Sequence, residues 1–352
     1  MTSRATLADI ARAAGVSKTT VSLALRMNPK IPEATRKRIS EVAATLGYCP
    51  DPALARIAAH RWKTRTAGSG STIAFVTTDH PAGGFLDGAA ITGAKRRAQE
   101  LGYHLEHHRL ESYANVEHLG RTLYHRGIQG VIIGQLFRSD FAQSFPWEKF
   151  ATVACNIGYY DLPVHLVAPD HAQAMGLAWK RSHERGYRRI GLVLFDEQKA
   201  IDEADKAGAY LFYQSSLPRE QHVPIVHIAP RDHDTLAAWL EAHRPDMILG
   251  INNIVRHWAQ HRGWKIPADA GFIDLYAQPS INPSSGLFLD NQQLGCSAVE
   301  LVDLQIQHGA FGIPRNTFNH LLLPAWIDGD SSPWRGTSTP ATSGLKPAEP
   351  VR

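Results

Sequence analysis

Between Thr6 and Leu46 the apolar positions recur with helical spacing in three short runs. Leu7, Ile10, Ala11 and Ala14 fall on one face. Thr6 precedes them as an N-cap, and Asp9, three residues on, completes a capping-box-like start. Gly15 ends the run, and Val16 is the apolar plug of a tight turn. Ser17 caps a second helix, which turns Val21, Ala24 and Leu25 inward and Lys18, Thr19, Ser22 and Arg26 outward. From Thr72 the pattern changes to strand–helix–strand. Strands are predicted over 73–76, 103–109, 131–133, 151–155, 190–195, 223–228, 247–250, 271–274 and 318–323, and helices over 88–101, 116–126, 172–185, 204–215, 234–243, 254–262 and 294–308. Repeated βα units predict parallel sheets covered on both faces, and two such sets of similar size predict two lobes with a cleft between them.

The connecting segments read differently. Residues 49–60 begin Cys-Pro-Asp-Pro, so Asp51 caps and Pro52 takes a first helical position, but the two turns that follow are too short to be stable alone in water. Residues 64–71, rich in Gly, Ser and Thr, read as a flexible joint. From Asp328 the chain turns to Ser, Pro, Thr and Gly and reads as a disordered tail without the apolar heptads of an oligomerising helix. The predicted division is a helix-turn-helix head over 1–50, a hinge helix and linker over 51–71, a bilobed body over 72–327 and a tail over 328–352.

Charge sharpens this division. The net charge is +4, yet residues 1–66 hold 12 Lys/Arg against 4 Asp/Glu, a net of +8, which leaves the remainder at −4. A basic head on a mildly acidic body is what phosphate binding by one end requires. Three cysteines, Cys49, Cys155 and Cys296, are too few and too scattered for a disulfide framework or a zinc site. The N-terminus lacks an apolar signal core, and no apolar run approaches the ~18–20 residues that span a bilayer. The expectation is a cytoplasmic protein with no membrane partner.

The stretch Thr6-Leu-Ala-Asp-Ile-Ala-Arg-Ala-Ala-Gly-Val-Ser-Lys-Thr-Thr-Val-Ser22, then Thr35-Arg36, then Leu46-Gly-Tyr48, resembles the head of lac-repressor-type (LacI/GalR) regulators. The resemblance extends over about residues 5–327, because that family carries a body like a periplasmic binding protein, crossed three times by the chain. It implies that the second helix enters a major groove roughly 12 Å wide, with Lys18, Thr19 and Leu23 facing bases and Thr20, Ser22, Arg26, Lys30, Thr35 and Arg36 facing phosphates. Thr6 and Ser17, at the helix starts, join the DNA-binding set. Ile57 matches the family's minor-groove leucine and is apolar enough to act as the same wedge. Arg56 and Arg61 are placed to reach phosphates. Leu23 stands where the lac repressor has an Arg, so it suits a thymine methyl and not a bidentate guanine contact.

In doubly wound sheets ligands bind outside the carboxyl ends of the strands. Asp79, His80, Asn156, Asp205, Asn252, Asp274 and Tyr276 form the candidate effector set at such places. Asn252 and Asp274 fall where the family has an Asn and an Asp contacting the effector. Phe85, Tyr159, Tyr160, Trp258 and Tyr276 are candidates to stack on a sugar face. Two departures matter. Asn156 replaces a common Asp, and Asp205 stands where the family usually has an Arg. That argues against an effector carboxylate or phosphate held there, unless Lys206 or Arg138 substitutes.

Eighteen histidines raise a metal site, but His104 and His108 share one strand face while His107 points away, so they read as solvated surface groups. No phosphate-cradling glycine loop, Gly-x-Ser-x-Gly elbow or histidine base near Cys155 is present, and no cofactor, metal or catalytic set is expected. The resulting expectation is an allosteric, homodimeric transcription regulator. It would act as a repressor on a pseudo-palindromic operator and answer to a sugar or related polyol. The competing readings are a carbohydrate-binding module with a vestigial head, an enzyme built on the same body, and a DNA-binding regulator with no effector.

Overall fold

A computed structural model describes residues 5–25, 31–46, 48, 71–79, 84–135, 140–155, 162–195, 201–229, 232–251, 253–278 and 284–335. The head holds α1 (Leu7–Ala14), α2 (Lys18–Leu25) and α3 (Glu33–Thr45). Ile10, Ala11, Ala14, Val21, Ala24, Ile39 and Ala43 form its buried core, with Leu7, Val16 and Leu25 packed against it. Gly15 closes α1 in the left-handed conformation at φ 63°, which a residue without Cβ adopts at no steric cost.

Beyond the head the described chain forms two compact α/β units, with crossings near residues 167, 290 and 319. The first lobe contains β1 (Thr72–Thr77), α4 (Gly84–Glu100), β2 (His104–Arg109), α5 (Val116–His125), β3 (Gly130–Ile133), α6 (Phe141–Ser144), β4 (Ala151–Cys155), β5 (His165–Pro169), α11 (Asn291–His308) and β11 (Asn319–Leu322). Its strands run in the order β11-β5-β4-β3-β1-β2. The tightest crossing is that of α4 and α11. A Cβ built on Gly93 would lie 1.9 Å from the Gln292 carbonyl oxygen, and one on Gly295 would lie 1.8 Å from the Ala90 oxygen. Only glycine lets these two backbones meet.

The second lobe contains α7 (His171–Glu184), β6 (Ile190–Phe195), α8 (Ile201–Gln214), β7 (Val226–Ile228), α9 (His233–His243), β8 (Met247–Gly250), α10 (Ile254–His261), β9 (Gly271–Asp274), β10 (Gly286–Phe288) and β12 (Ala325–Ile327). Its order, β12-β10-β9-β8-β6-β7, repeats the winding of the first, with β12 antiparallel to β10. Central strands are buried along their whole length, as a sheet covered on both faces requires.

Several expectations need correction. The strand predicted from Val223 begins only at Val226. Side chains satisfy the backbone of Val223 instead: its N–H donates to Gln214 Oε1 (2.6 Å), and its carbonyl accepts from the Tyr210 hydroxyl (2.6 Å). Strands β5, β10 and β12 were not anticipated. They are short, and each is held by its neighbour rather than by its own pattern.

The tail expected from Asp328 is packed through Arg335. Asp328 pairs with Arg185, whose guanidinium also lies 4.7 Å from the Trp326 ring centroid and 5.3 Å from that of Trp334. The Ser331 hydroxyl donates to the Phe272 carbonyl (2.7 Å) and accepts from Ser285 N–H (2.9 Å). Polar composition misled here because Ser331 bonds to buried backbone groups rather than to water.

The histidines of β2 are not simply solvated either. His108 is buried, and its Nδ1 lies 2.6 Å from the Tyr113 hydroxyl. His107 Nε2 lies 2.8 Å from the Thr77 hydroxyl on β1. Burial lowers the pKa of both imidazoles, with Arg109 adding to the effect on His107 and Glu106 opposing it at His108. A polar groove of about 880 Å³ follows this edge strand, lined by Lys95, Tyr103, Glu106 and Arg126 among others.

Candidate DNA-reading surface and strand-end site

In the head, the Thr6 backbone N–H (3.0 Å) and hydroxyl (2.7 Å) both donate to the Asp9 carboxylate, which also accepts from Arg12 (3.1 Å). The Thr6 hydrogen bonds, with a smaller contribution from Arg12, hold the Asp9 carboxyl below its ordinary pKa. Ser17 Oγ accepts from Thr20 N–H (3.1 Å) and lies 2.8 Å from the Thr20 hydroxyl. Thr6, Ser17 and Thr20 therefore build helix starts. Lys18 and Thr19 are exposed at the beginning of α2, and Ser22 and Leu23 are half-buried on its next turn. Thr35 and Arg36 lie half-buried in the first turns of α3. Arg26, Lys30, Arg56, Ile57 and Arg61 lie outside the described residues.

In the second lobe Asp274 and Tyr276 come together at the carboxyl end of β9, where the Tyr276 N–H donates to Asp274 Oδ1 (2.8 Å). Asp274 is only 2 % exposed. The charge that α8 turns toward this pair is not Asp205, which is exposed, but its neighbour Lys206, 3 % exposed. Lys206 shares its helix face with Tyr210 and Gln214, and its Nζ donates to the Tyr276 hydroxyl (2.9 Å). The buried His171 stands 6.3 Å from the Tyr276 ring, centroid to centroid. The i, i+4, i+8 spacing puts Lys206 on one helix face with Tyr210 and Gln214 but does not say that this face turns toward Tyr276. His171, brought in from the start of α7, has no such signal.

Other candidates separate from this cluster. Asp79 is exposed at the end of β1 and pairs with Arg109 at the end of β2 (3.4 Å). Trp258 is 8 % exposed and stacks on His233 at 4.7 Å, so it belongs to the second lobe's core and presents no sugar-stacking face. His80, Arg138, Asn156, Tyr159, Tyr160 and Asn252 lie outside the described residues, as does the Phe85 side chain. Among the described residues, no group of three or more His, Cys, Asp or Glu is arranged to hold a metal ion, and no helix is long and apolar enough to cross a membrane.

The profile described as "Bacterial regulatory proteins, lacI family" matches residues 6–51, which spans the capped three-helix head. The transcriptional regulator PtxS of Pseudomonas plecoglossicida is 25 % identical over 284 residues, covering 77 % of this chain and 79 % of that one. This chain belongs to the LacI/GalR family. It is a DNA-binding transcriptional regulator, and the relatives that carry this assignment are regulators rather than enzymes.

Two solved structures show the family fold. The lac repressor dimer bound to operator and the anti-inducer ONPF has a TM-score of 0.58 at 19 % identity, covering 94 % of this chain and 100 % of that one. The complex of the transcriptional regulator CelR with cellobiose has a TM-score of 0.57 at 18 % identity, covering 93 % and 100 %. The body of this LacI-family chain accordingly has the two-lobed, periplasmic-binding-protein-like fold.

Proposed function

We propose that this LacI-family regulator is a cytoplasmic repressor that binds a pseudo-palindromic operator as a homodimer under the control of a small sugar-like effector. In this reading residues 1–50 read DNA, 51–71 form the hinge, and the body from 72 senses the effector and dimerises. The observation that carries it is the head: a rigid apolar core behind a capped α2 whose solvent side bears Lys18, Thr19, Ser22 and Leu23. Lys18, Thr19 and Leu23 face bases. Thr20, Ser22, Arg26, Lys30, Thr35 and Arg36 face phosphates, with Ser17 and Thr20 also setting the start of α2. Ile57 wedges the central minor-groove step.

The effector reading draws on the Asp274–Tyr276 pair, with His80, Asp79, Asn156, Asp205 and Asn252 as its remaining candidates. It is supported by the cellobiose bound to one structural neighbour and by the operator and anti-inducer bound to another. An effector changes operator affinity only as far as it prefers one of two conformations of the protein.

The test is fluorescence anisotropy with a palindromic operator duplex and a random duplex across a salt series. Contacts to 6–10 phosphates reduce affinity by roughly 10³–10⁵ between 50 and 200 mM salt, with the palindrome held tighter throughout. The double substitution Lys18→Glu, Arg36→Glu abolishes that preference. Equal binding of both duplexes at every salt concentration, with and without candidate sugars, would refute the proposal.

A further inference from the structure

The polar groove along the open edge of β2 belongs neither to the DNA-reading head nor to the strand-end effector candidates. We infer that it is a second ligand site, which takes a small polyvalent oxyanion on a rim centred on Lys95 and His107. This inference does not depend on the effector reading.

Four observations carry it. First, the space is there: the groove measures about 880 Å³, the size of sites that hold small metabolites. Second, β2 pairs with β1 alone and ends its sheet, so side chains from both of its faces border the opening. Successive side chains leave a strand on opposite faces. His107 accordingly feels the charge of Lys95 on α4, and His108 feels that of Arg126, just past α5.

Third, the negative charge in the groove is spent and the positive charge is not. Glu106, the one carboxylate among the described residues that line it, accepts from Arg126 at 2.8 Å and lies 3.4 Å from His108 Nε2. Lys95 pairs with no carboxylate among the described residues, and the side chains of Gln99 and His104 make no hydrogen bond among them. His107 uses Nε2 on the Thr77 hydroxyl (2.8 Å), which leaves its Nδ1 for a ligand.

Fourth, the α4 side of the groove is electropositive. Burial lowers the His107 pKa most, and Arg109, Lys95 and His108 lower it further, opposed by Asp79. A cleft lined by one sign of charge concentrates the opposite ion. An ammonium, an amide and two imidazoles donate to the oxygens of a phosphate or a carboxylate alike. A neutral polyol would leave the Lys95 charge unmatched.

Isothermal titration of the full chain at fixed ionic strength tests the inference, with pyrophosphate as the phosphate probe, citrate as the carboxylate probe and glycerol as the neutral reference. At least one anion binds tenfold or more tightly than glycerol, and which one does so separates phosphate from carboxylate. Lys95→Met weakens that anion at least tenfold, and Lys95→Arg, which keeps the charge, retains most of the affinity. Lys95 is exposed, and circular dichroism shows that both variants fold. The basic head is a rival anion site, so the same titration is run on the double variant Lys18→Glu, Arg36→Glu, which keeps the groove's affinity. Hydrogen exchange of residues 103–109 slows when the anion is added.

Silence of both anions overturns the inference, and so does glycerol binding as tightly as either. It also falls if the affinity survives Lys95→Met or disappears with the head substitutions. Protection confined to residues 5–46 would place the anion on the head and overturn it as well. None of these results bears on the strand-end effector reading.

Discussion

The two lobes share one winding and differ in what they do with it. Each sheet runs in the order 5-4-3-1-2 of its own parallel strands, with one late strand added at the edge. In the first lobe the strand ends satisfy one another: Asp79 pairs with Arg109, and Thr77 meets His107 across adjacent strands. Its distinctive feature is backbone proximity, two helices meeting through Gly93 and Gly295. In the second lobe, aromatic side chains fill the core, with Tyr187 and Tyr210 fully buried, and a charged cluster of Lys206, Tyr276 and Asp274 sits at the strand ends. Topology follows from the apolar periodicity that both halves share. Chemistry follows from a few positions that the periodicity does not constrain.

This contrast can be tested by breaking each lobe at its own feature. The largest effect is expected in the second lobe. Deleting residues 328–352 removes the partners of Arg185, Ser285, Phe272, Tyr187 and Arg256. At about 0.5–1.5 kcal/mol net for each hydrogen bond, the loss is roughly 2.5–7.5 kcal/mol. A solvated tail would leave the thermal midpoint unchanged.

Next comes the first lobe. Gly295→Ala forces α4 and α11 apart and costs about 1–3 kcal/mol by overpacking. Urea unfolding followed by fluorescence checks this. An unchanged midpoint would mean that the helices do not meet as closely as the two glycines allow.

Smaller effects are expected elsewhere. Ser17→Ala removes the acceptor that caps α2 and costs the head about 1 kcal/mol, read as a lower melting temperature of the isolated transition and weaker operator binding. The smallest is a pH effect. Burial holds the His108 pKa below the ordinary imidazole value of 6.5, so the unfolded chain takes up a proton at a higher pH than the folded one. The stability this group contributes is complete above that value and declines as the pH falls toward the folded pKa. His107, His165 and His183 are shifted in the same direction. Thermal midpoints between pH 7 and pH 5 in the wild type and in His108→Leu measure the effect, and a steeper fall in the variant would contradict it.

Much of this molecule was legible from residue order. The head was clearest, because Thr6–Asp9, Gly15 and Ser17 are local signals whose partners lie within a few positions. The βα alternation was also legible, since buried strands and amphipathic helices each carry their own period, whereas the three crossings were expected from the family resemblance alone. Within the candidate site, Asp274 and Tyr276 could be placed because they follow a strong strand.

What escaped depended on distant partners. Strands β5, β10 and β12 are short segments that exist because a neighbouring strand offers them hydrogen bonds. Asp328 to Arg335 reads as solvent-exposed until Arg185, Phe272 and Ser285 stand opposite it. Trp258 reads as a sugar platform until Phe195 and His233 close over it. By itself the sequence determined how the longer helices and strands alternate, where the head's helices begin and which end is basic, because those properties rest on contacts within one turn or one strand. Only the tertiary structure decided that Lys206 rather than Asp205 faces Tyr276, because a helix's rotation is set by what its buried face packs against.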